Sequence, residues 1–259
     1  MNRSRLPFCL LSSALLPLGL LVAPGTAGAK AKVVAGSGPL ACGYKTMPLA
    51  TGNTWTYKAG AAQVIVKIAG VGQGKDWSGK PATVIDVEET YNGRTVKSQW
   101  SCTAAGGLIL PIDDFLWAGE PGGAVGETFT VKSHEKAWLV PEAELVGDVA
   151  WIEIVKADVV RPDGSGTGAG AQHRPGELEV ERHAQLKGTE NVVTLVGQFV
   201  AERVVFELRG RATVEAEKAE VPIKRPATVW YTKGLGVVKF DDAFDKTWEL
   251  TESNLVQAK

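Results

Sequence analysis

Apolar and polar side chains take turns along this chain with a period of two, and almost nowhere with the period of a helix. Thr54-Trp55-Thr56-Tyr57 sets the pattern, pairing aromatic rings on one side with hydroxyls on the other. Similar runs recur at Gln63–Ala69, Thr83–Glu89, Thr95–Ser101, Glu127–Lys132, Ala137–Val140, Val149–Val160, Glu177–Ala184, Val192–Val196, Val200–Leu208, Ala212–Ala216, Thr228–Thr232, Gly236–Phe240 and Thr247–Leu250. They are rich in Val, Thr, Ile and aromatics, which suit a pleated, half-buried surface. Glycine, proline, Asn and Asp separate them, as in Asn92-Gly93, Asp163-Gly164 and Pro121-Gly122-Gly123. No long segment repeats at i, i+3, i+4 and i+7, so nothing supplies the crossover helices that parallel strands need. Short helical turns are expected only at Glu142–Val146 and Asp241–Asp245. The expectation is an all-β fold, an antiparallel sandwich or open barrel, with few short helices.

Glu177–Ala184 shows the logic at residue level. Leu178, Val180 and Ala184 share one side of the strand with Arg182, while Glu179, Glu181 and His183 share the other. That is the pattern of a strand with one buried face. The arms Val149–Val160 and Glu177–Ala184 read as a long hairpin with its tip at Arg161–Gly176, full of Gly, Ser and Thr.

Residues 1–29 read as an address rather than as fold. Arg3 and Arg5 precede an apolar run from Leu6 to Val22, and Ala27-Gly28-Ala29 places small residues before a cut at Lys30. This is the layout of a cleaved secretory signal. The competing reading, a retained membrane anchor, is weakened by Pro7 and Pro17. No later segment has 18 consecutive apolar residues, so no transmembrane helix is expected in the mature chain. Residues 30–45 read as a lead, 46–252 as a single β domain and 253–259 as a tail. Of the three cysteines, Cys9 leaves with the signal. Cys42 and Cys102 then form an even pair in an exported chain, which reads as one disulfide. Lipidation of Cys42 is the alternative, since Pro39-Leu40-Ala41-Cys42 faintly resembles a lipoprotein box.

The 259 residues carry 28 Lys and Arg against 29 Asp and Glu. Losing Arg3 and Arg5 leaves 26 against 29, a mature charge of −3. No basic excess exists to hold a phosphate backbone, so nucleic acid is not an expected partner. A weak internal duplication is also visible. TGNTWTYK (51–58) matches VGETFTVK (125–132), and QWSCTAAGGLILPIDDF (99–115) matches VWYTKGLGVVKFDDAF (229–244). Repeats over 50–115 and 124–244, without a linker between them, are the corresponding expectation.

Three further segments define a resemblance. MPLATGNTWTYK at the start, VWYTKGLGVVKF with TWEL at the finish, and LVGQFVAERVVFEL between them resemble a group of uncharacterised secreted bacterial proteins and lipoproteins. The group has a PL-x-x-G-x-x-W-x-Y opening and a W/Y-x-x-G-x-G-x-V-K closing motif. The matching residues are Pro48, Leu49, Gly52, Trp55 and Tyr57, then Gly197, Phe199 and Ala201, then Trp230, Gly234, Gly236, Val238 and Lys239. The resemblance implies an all-β envelope protein and brings no catalytic residue.

Motifs for chemistry are sparse. DGSGTGAG (163–170) lacks the strand before and helix after that a phosphate cradle requires. His134, His173 and His183 are scattered, with no metal-binding spacing, so neither metal nor cofactor is expected. Asp113-Asp114, Asp241-Asp242 and Glu179 with Glu181 are the carboxylates that a glycoside hydrolase would need, although adjacent Asp residues after a strand usually tie a turn. No G-x-S-x-G occurs. The eight tryptophans stand out more. Trp55, Trp100, Trp138, Trp151 and Trp230 sit in strands, as core Trp does. Trp77 and Trp117 sit in turns, where a ring is available to stack on a sugar or lipid. Arg161, His173 and Arg174 make a small cationic tip for an anion. Together these features favour an exported, non-catalytic envelope protein in the periplasm or outside the cell, which binds or scaffolds an envelope component, a glycan or a lipid. A Trp-based glycan or lipid module and a carboxylate-dependent hydrolase are the alternatives.

Overall fold

A computed structural model of the chain describes residues 31–34, 40–102, 107–111, 114, 128–135, 150–162, 173–214, 219–242 and 246–257. The signal segment 1–29, Trp117, Trp138, Asp113, the turn at 119–124 and the helical turn expected at Glu142–Val146 lie outside them.

The described chain is built from strands, with one 3-10 turn at Ala41–Gly43. In order they are β1 (Lys32–Val33), β2 (Thr54–Ala59), β3 (Ala62–Lys75), β4 (Pro81–Tyr91), β5 (Arg94–Cys102), β6 (Leu108–Ile109) and β7 (Thr128–Glu135). They continue as β8 (Ala150–Pro162), β9 (His173–Thr194), β10 (Gly197–Val214), β11 (Ala219–Thr232), β12 (Gly236–Asp241), β13 (Thr247–Ser253) and β14 (Val256–Gln257). Twelve of them form a single antiparallel sheet in the order β6-β5-β4-β3-β2-β13-β12-β11-β10-β9-β8-β7. It is two meanders laid edge to edge, β2 to β6 and β7 to β13, sewn together where β13 pairs with β2. Among the described residues β6 and β7 do not pair, so the sheet is open rather than a closed barrel. The lead and the tail meet as a small second sheet, with Lys32 opposite Gln257 and Val33 opposite Val256.

A sheet this wide must curl, because each strand pair adds twist. The curl is visible in the backbone. Cα atoms of β9 come within 8 Å of β12, whereas three flat ladder spacings would hold them about 14 Å apart. One apolar core therefore collects side chains from strands far apart in the ladder: Trp55, Tyr57, Val66, Ile85, Trp100, Leu186, Phe206, Val237 and Trp248. Phe240 stacks on Trp248 with ring centres 6.0 Å apart, and Tyr91 reaches the same indole at 6.2 Å.

The motifs that open and close the chain bind each other. The Trp55 indole donates to Leu235 O at 2.6 Å and the Tyr57 hydroxyl to Val237 O at 3.0 Å. Gly234 N donates to Lys45 O at 3.0 Å. Gly236 has a φ of +90°, and a Cβ there would lie 2.9 Å from Met47 Cγ, so only glycine fits under the lead. Tyr44, Met47 and Leu49 of that lead are fully buried. Cys42 bonds to Cys102 at the end of β5, with Cα atoms 5.3 Å apart, and fastens the lead to the sheet.

Some boundaries differ from the sequence reading. Glu177–Ala184 and Val192–Thr194 are parts of one 22-residue strand, β9, and Leu195 and Val196 form the turn after it. Gly188 does not end it: its φ of +105° accommodates a bulge, where the register shifts opposite Glu202 and Val204. Val200–Leu208 and Ala212–Val214 also fall in one strand, β10, which runs through Gly210 in unbroken register. Pairing also runs past the expected tip, with Arg161 opposite Arg174 and Pro162 opposite His173. The connection thus shrinks from Arg161–Gly176 to 163–172, because arms already in register continue to pair. Asp241 is the last residue of β12, not the first of a helical turn.

Candidate functional site

Strand register assembles a polar centre inside the otherwise apolar sheet. On the inner side of β8, β9 and β10, Trp151 lies opposite Ala184, and Ala184 opposite Phe206. One step along, Glu153 lies opposite Arg182. Both side chains are buried, and Arg182 donates to the Glu153 carboxylate in a closed ion pair. The Arg182 guanidinium also lies 4.8 Å from the centre of the Phe206 ring, and Trp151 meets that ring edge-on at 6.1 Å. His134 of β7, opposite Val155, completes this face. Burial, reinforced by the Arg182 charge, holds the His134 imidazole down at about 4. Tyr231 is buried beside the pair. Its hydroxyl is pushed well above its ordinary value by burial, Arg182 and Glu153 adding smaller opposing effects. Tyr231 Oη and Trp151 Nε1 find no hydrogen-bond partner among the described residues.

The other side of the same arms is a charged lattice. Lys132 bridges Asp158 at 2.6 Å and Glu177 at 2.9 Å. Glu179 takes Lys156 at 3.3 Å and Arg211 at 3.1 Å, and these bonds, Arg211 first, hold its carboxyl below the usual range. A groove of about 260 Å³ runs between Lys132, Lys156, Glu179 and Arg211. Its cations already face carboxylates, so it offers an anion little unspent charge.

The candidates from the sequence do not form one site. Trp77 stands on the β3–β4 turn and is 40% exposed. The turn under it is rigid: Asp76 Oδ1 accepts from Ser78 N at 2.9 Å, Ser78 Oγ at 2.7 Å and Lys80 N at 3.0 Å. Those bonds, the Ser78 hydroxyl foremost, lower the Asp76 pKa. Arg161, His173 and Arg174 fall together on the paired ends of β8 and β9, where the backbone is described and the side chains are not. Strand polarity puts them at the opposite end of the sheet from Trp77.

The carboxylates are tied up in structure. Asp114 accepts from the buried Trp100 indole and, at 3.3 Å, from Ser98 Oγ. Asp242 accepts the Trp248 indole at 3.0 Å and Lys246 N at 3.0 Å, which closes the turn before β13. Glu181 pairs with His183 at 2.7 Å. Among the described residues no three His, Cys, Asp or Glu side chains gather as a metal site, and no helix is long and apolar enough to cross a membrane. Sequence reasoning missed the Glu153–Arg182 pair. One half of its signal was present, since Arg182 falls on the apolar side of an alternating strand. The other half, which acid lies opposite, is set by register.

The fold thus defines an open, curled all-β sheet stabilised by a disulfide and lined by one apolar core. No protein-family model matches the chain, and no curated protein does. Two solved structures resemble it. A candidate lipoprotein of Parabacteroides distasonis aligns over 84% of this chain and 100% of its own, at 12% identity and a TM-score of 0.43. A candidate exported protein with a YmcC-like fold from Bacteroides fragilis aligns over 80% and 98%, at 12% identity and a TM-score of 0.40. At this distance neither likeness says what this chain binds.

Proposed function

We propose that the chain is an exported protein of the cell envelope that works by binding or scaffolding rather than by catalysis. The Cys42–Cys102 bond carries this reading, because such a bond persists in oxidising compartments and is rare in a reducing cytosol. It agrees with the address read in residues 1–29 and with the resemblance to exported bacterial β-proteins. The engaged state of Asp114, Asp242, Glu153, Glu179 and Glu181 favours binding over acid–base work. The test is expression in a bacterial host with fractionation and thiol alkylation. The reading expects a shortened, alkylation-resistant chain outside the cytoplasm. A full-length cytoplasmic chain with three free thiols would remove it.

Within that reading, Trp77 favours a module that recognises a glycan or a lipid. A ring fixed on a rigid turn loses little freedom on contact. Titrating the purified protein with envelope glycans and lipids, with Trp77→Ala beside the parent, tests it. Equal binding by both would sink the role of the ring.

A further inference from the structure

The large apolar side chains that stand exposed among the described residues are Trp77, Val193, Leu195 and Val200, at 40%, 58%, 78% and 64%. All four lie at one end of the sheet. Six antiparallel steps separate β3 from β9, so the two strands run the same way and their C-terminal turns share that end. In the β9–β10 hairpin the exposure is one-sided. Val192, Thr194, Phe199 and Ala201 are buried toward the core, while Val193 and Val200 face out with Leu195 on the turn between them. Residues 191–200, NVVTLVGQFV, contain no charge. Isolated exposed apolar residues are ordinary, but this set is confined to two turns at one end of the sheet, β3–β4 and β9–β10.

Two further observations select the occupant. The turns and the lead at this end expose Lys32, Lys75, Lys80 and Lys233, against one acid, Asp76, whose Oδ1 is spent inside its own turn. Asp86, Glu190, Glu202 and Glu252 lie on the strands: Asp86 accepts from the Gln99 amide, Glu190 takes the Trp230 indole, and Glu202 lies close enough to Lys233 to feel its charge. Finally, an indole on a turn beside lysines is the arrangement that settles at the boundary between headgroups and acyl chains.

We propose that this end of the sheet, through Trp77, Val193, Leu195 and Val200 with their flanking lysines, docks on an anionic lipid bilayer. This deepens the envelope-binding reading and rests on it. Contact is peripheral: apolar tips enter the interface while the lysines meet headgroup phosphates, so binding weakens with salt.

The test is flotation of the protein purified from an exporting bacterial host with vesicles of phosphatidylglycerol and phosphatidylethanolamine, and with phosphatidylcholine alone. The expected result is binding to the anionic vesicles that falls in high salt. Leu195→Asp should weaken it by about tenfold, as expected for losing one buried Leu, and Trp77→Ala should weaken it as well. Lys80→Glu with Lys233→Glu should abolish the preference for anionic lipid. Arg94→Glu, at the opposite end, should leave it unchanged. All these side chains are exposed, so the fold survives, and circular dichroism checks that. Absence of flotation, equal flotation by Leu195→Asp, or retention on isolated peptidoglycan instead would overturn the proposal. None of those results touches the fractionation test, so an exported protein that fails to float removes the docking surface alone.

Discussion

Two regions of the sheet solve the same burial problem with different chemistry. Around β2 to β5 and β12 to β13 the interior is mainly aromatic and aliphatic; Glu89 is buried there too, and the indole and phenol groups bond to a carbonyl or a carboxylate: Trp55 to Leu235, Tyr57 to Val237, Trp100 to Asp114 and Trp248 to Asp242. Around β7 to β10 the interior holds a full charge pair, Glu153–Arg182, with a neutral His134 beside it. The first half gains by removing apolar surface from water, roughly 25 cal/mol for each Å². The second spends desolvation energy that mutual attraction has to recover, and such pairs often recover little. One half should therefore be tolerant of polarity changes that the other is not.

The sharpest way to break this contrast is at Arg182. Arg182→Ala should cost about 3–5 kcal/mol because it strands a buried Glu153, whereas Glu153→Leu with Arg182→Met should be neutral or stabilising in urea unfolding. Loss equal to the single variant would show that the pair is essential and not merely compensated. Trp100→Ala, in the apolar half, should cost about 3–5 kcal/mol with no rescuing partner. The disulfide comes next. It spans a separation of 60 positions, so Cys42→Ala with Cys102→Ala should cost about 4 kcal/mol of chain entropy, measurable as a drop in Tm under non-reducing conditions.

A pH titration distinguishes the halves by proton uptake. Burial holds His134 at about 4, against 6.5 in an unfolded chain. Between those values the unfolded state binds a proton that the folded state refuses. Stability is thus complete above about pH 6.5 and falls as pH drops toward 4, by at most about 3 kcal/mol. His134→Phe should flatten that limb of the stability curve, and an unchanged limb would assign the acid sensitivity elsewhere. The smallest effect is expected from the outer lattice. Lys132→Ala removes two exposed ion pairs and should leave Tm unmoved, since exposed pairs contribute little.

The strand character of each half was legible because alternation is a local property. The buried side of Glu177–Ala184, Arg182 included, follows from it, as does the Asn92-Gly93 turn, with φ of 46° and 85°. The Cys pairing was legible from parity. What could not be read was anything set by register or curvature. Glu153 meets Arg182 across a ladder, and β9 reaches β12 across a bend, neither of which leaves a mark at a fixed spacing. Glycine misled in both directions. Gly188 and Gly210 punctuate the sequence yet lie inside strands, Gly210 because a Cβ there would come within 2.2 Å of Glu179 O. For the candidate site, Trp77 was visible by its turn composition. The apolar tip at Val193, Leu195 and Val200 was not, because alternating valines look alike whichever side meets water.

The junction of β13 with β2 puts residues 247–253 in the middle of the ladder. The two meanders therefore cannot be seamed until residues 247–253 join the ladder. Removing the strand Thr247–Ser253 would leave two ribbons with raw edges, each open to pairing with a neighbour. The strand that closes the ladder thus guards both meanders against joining a stranger.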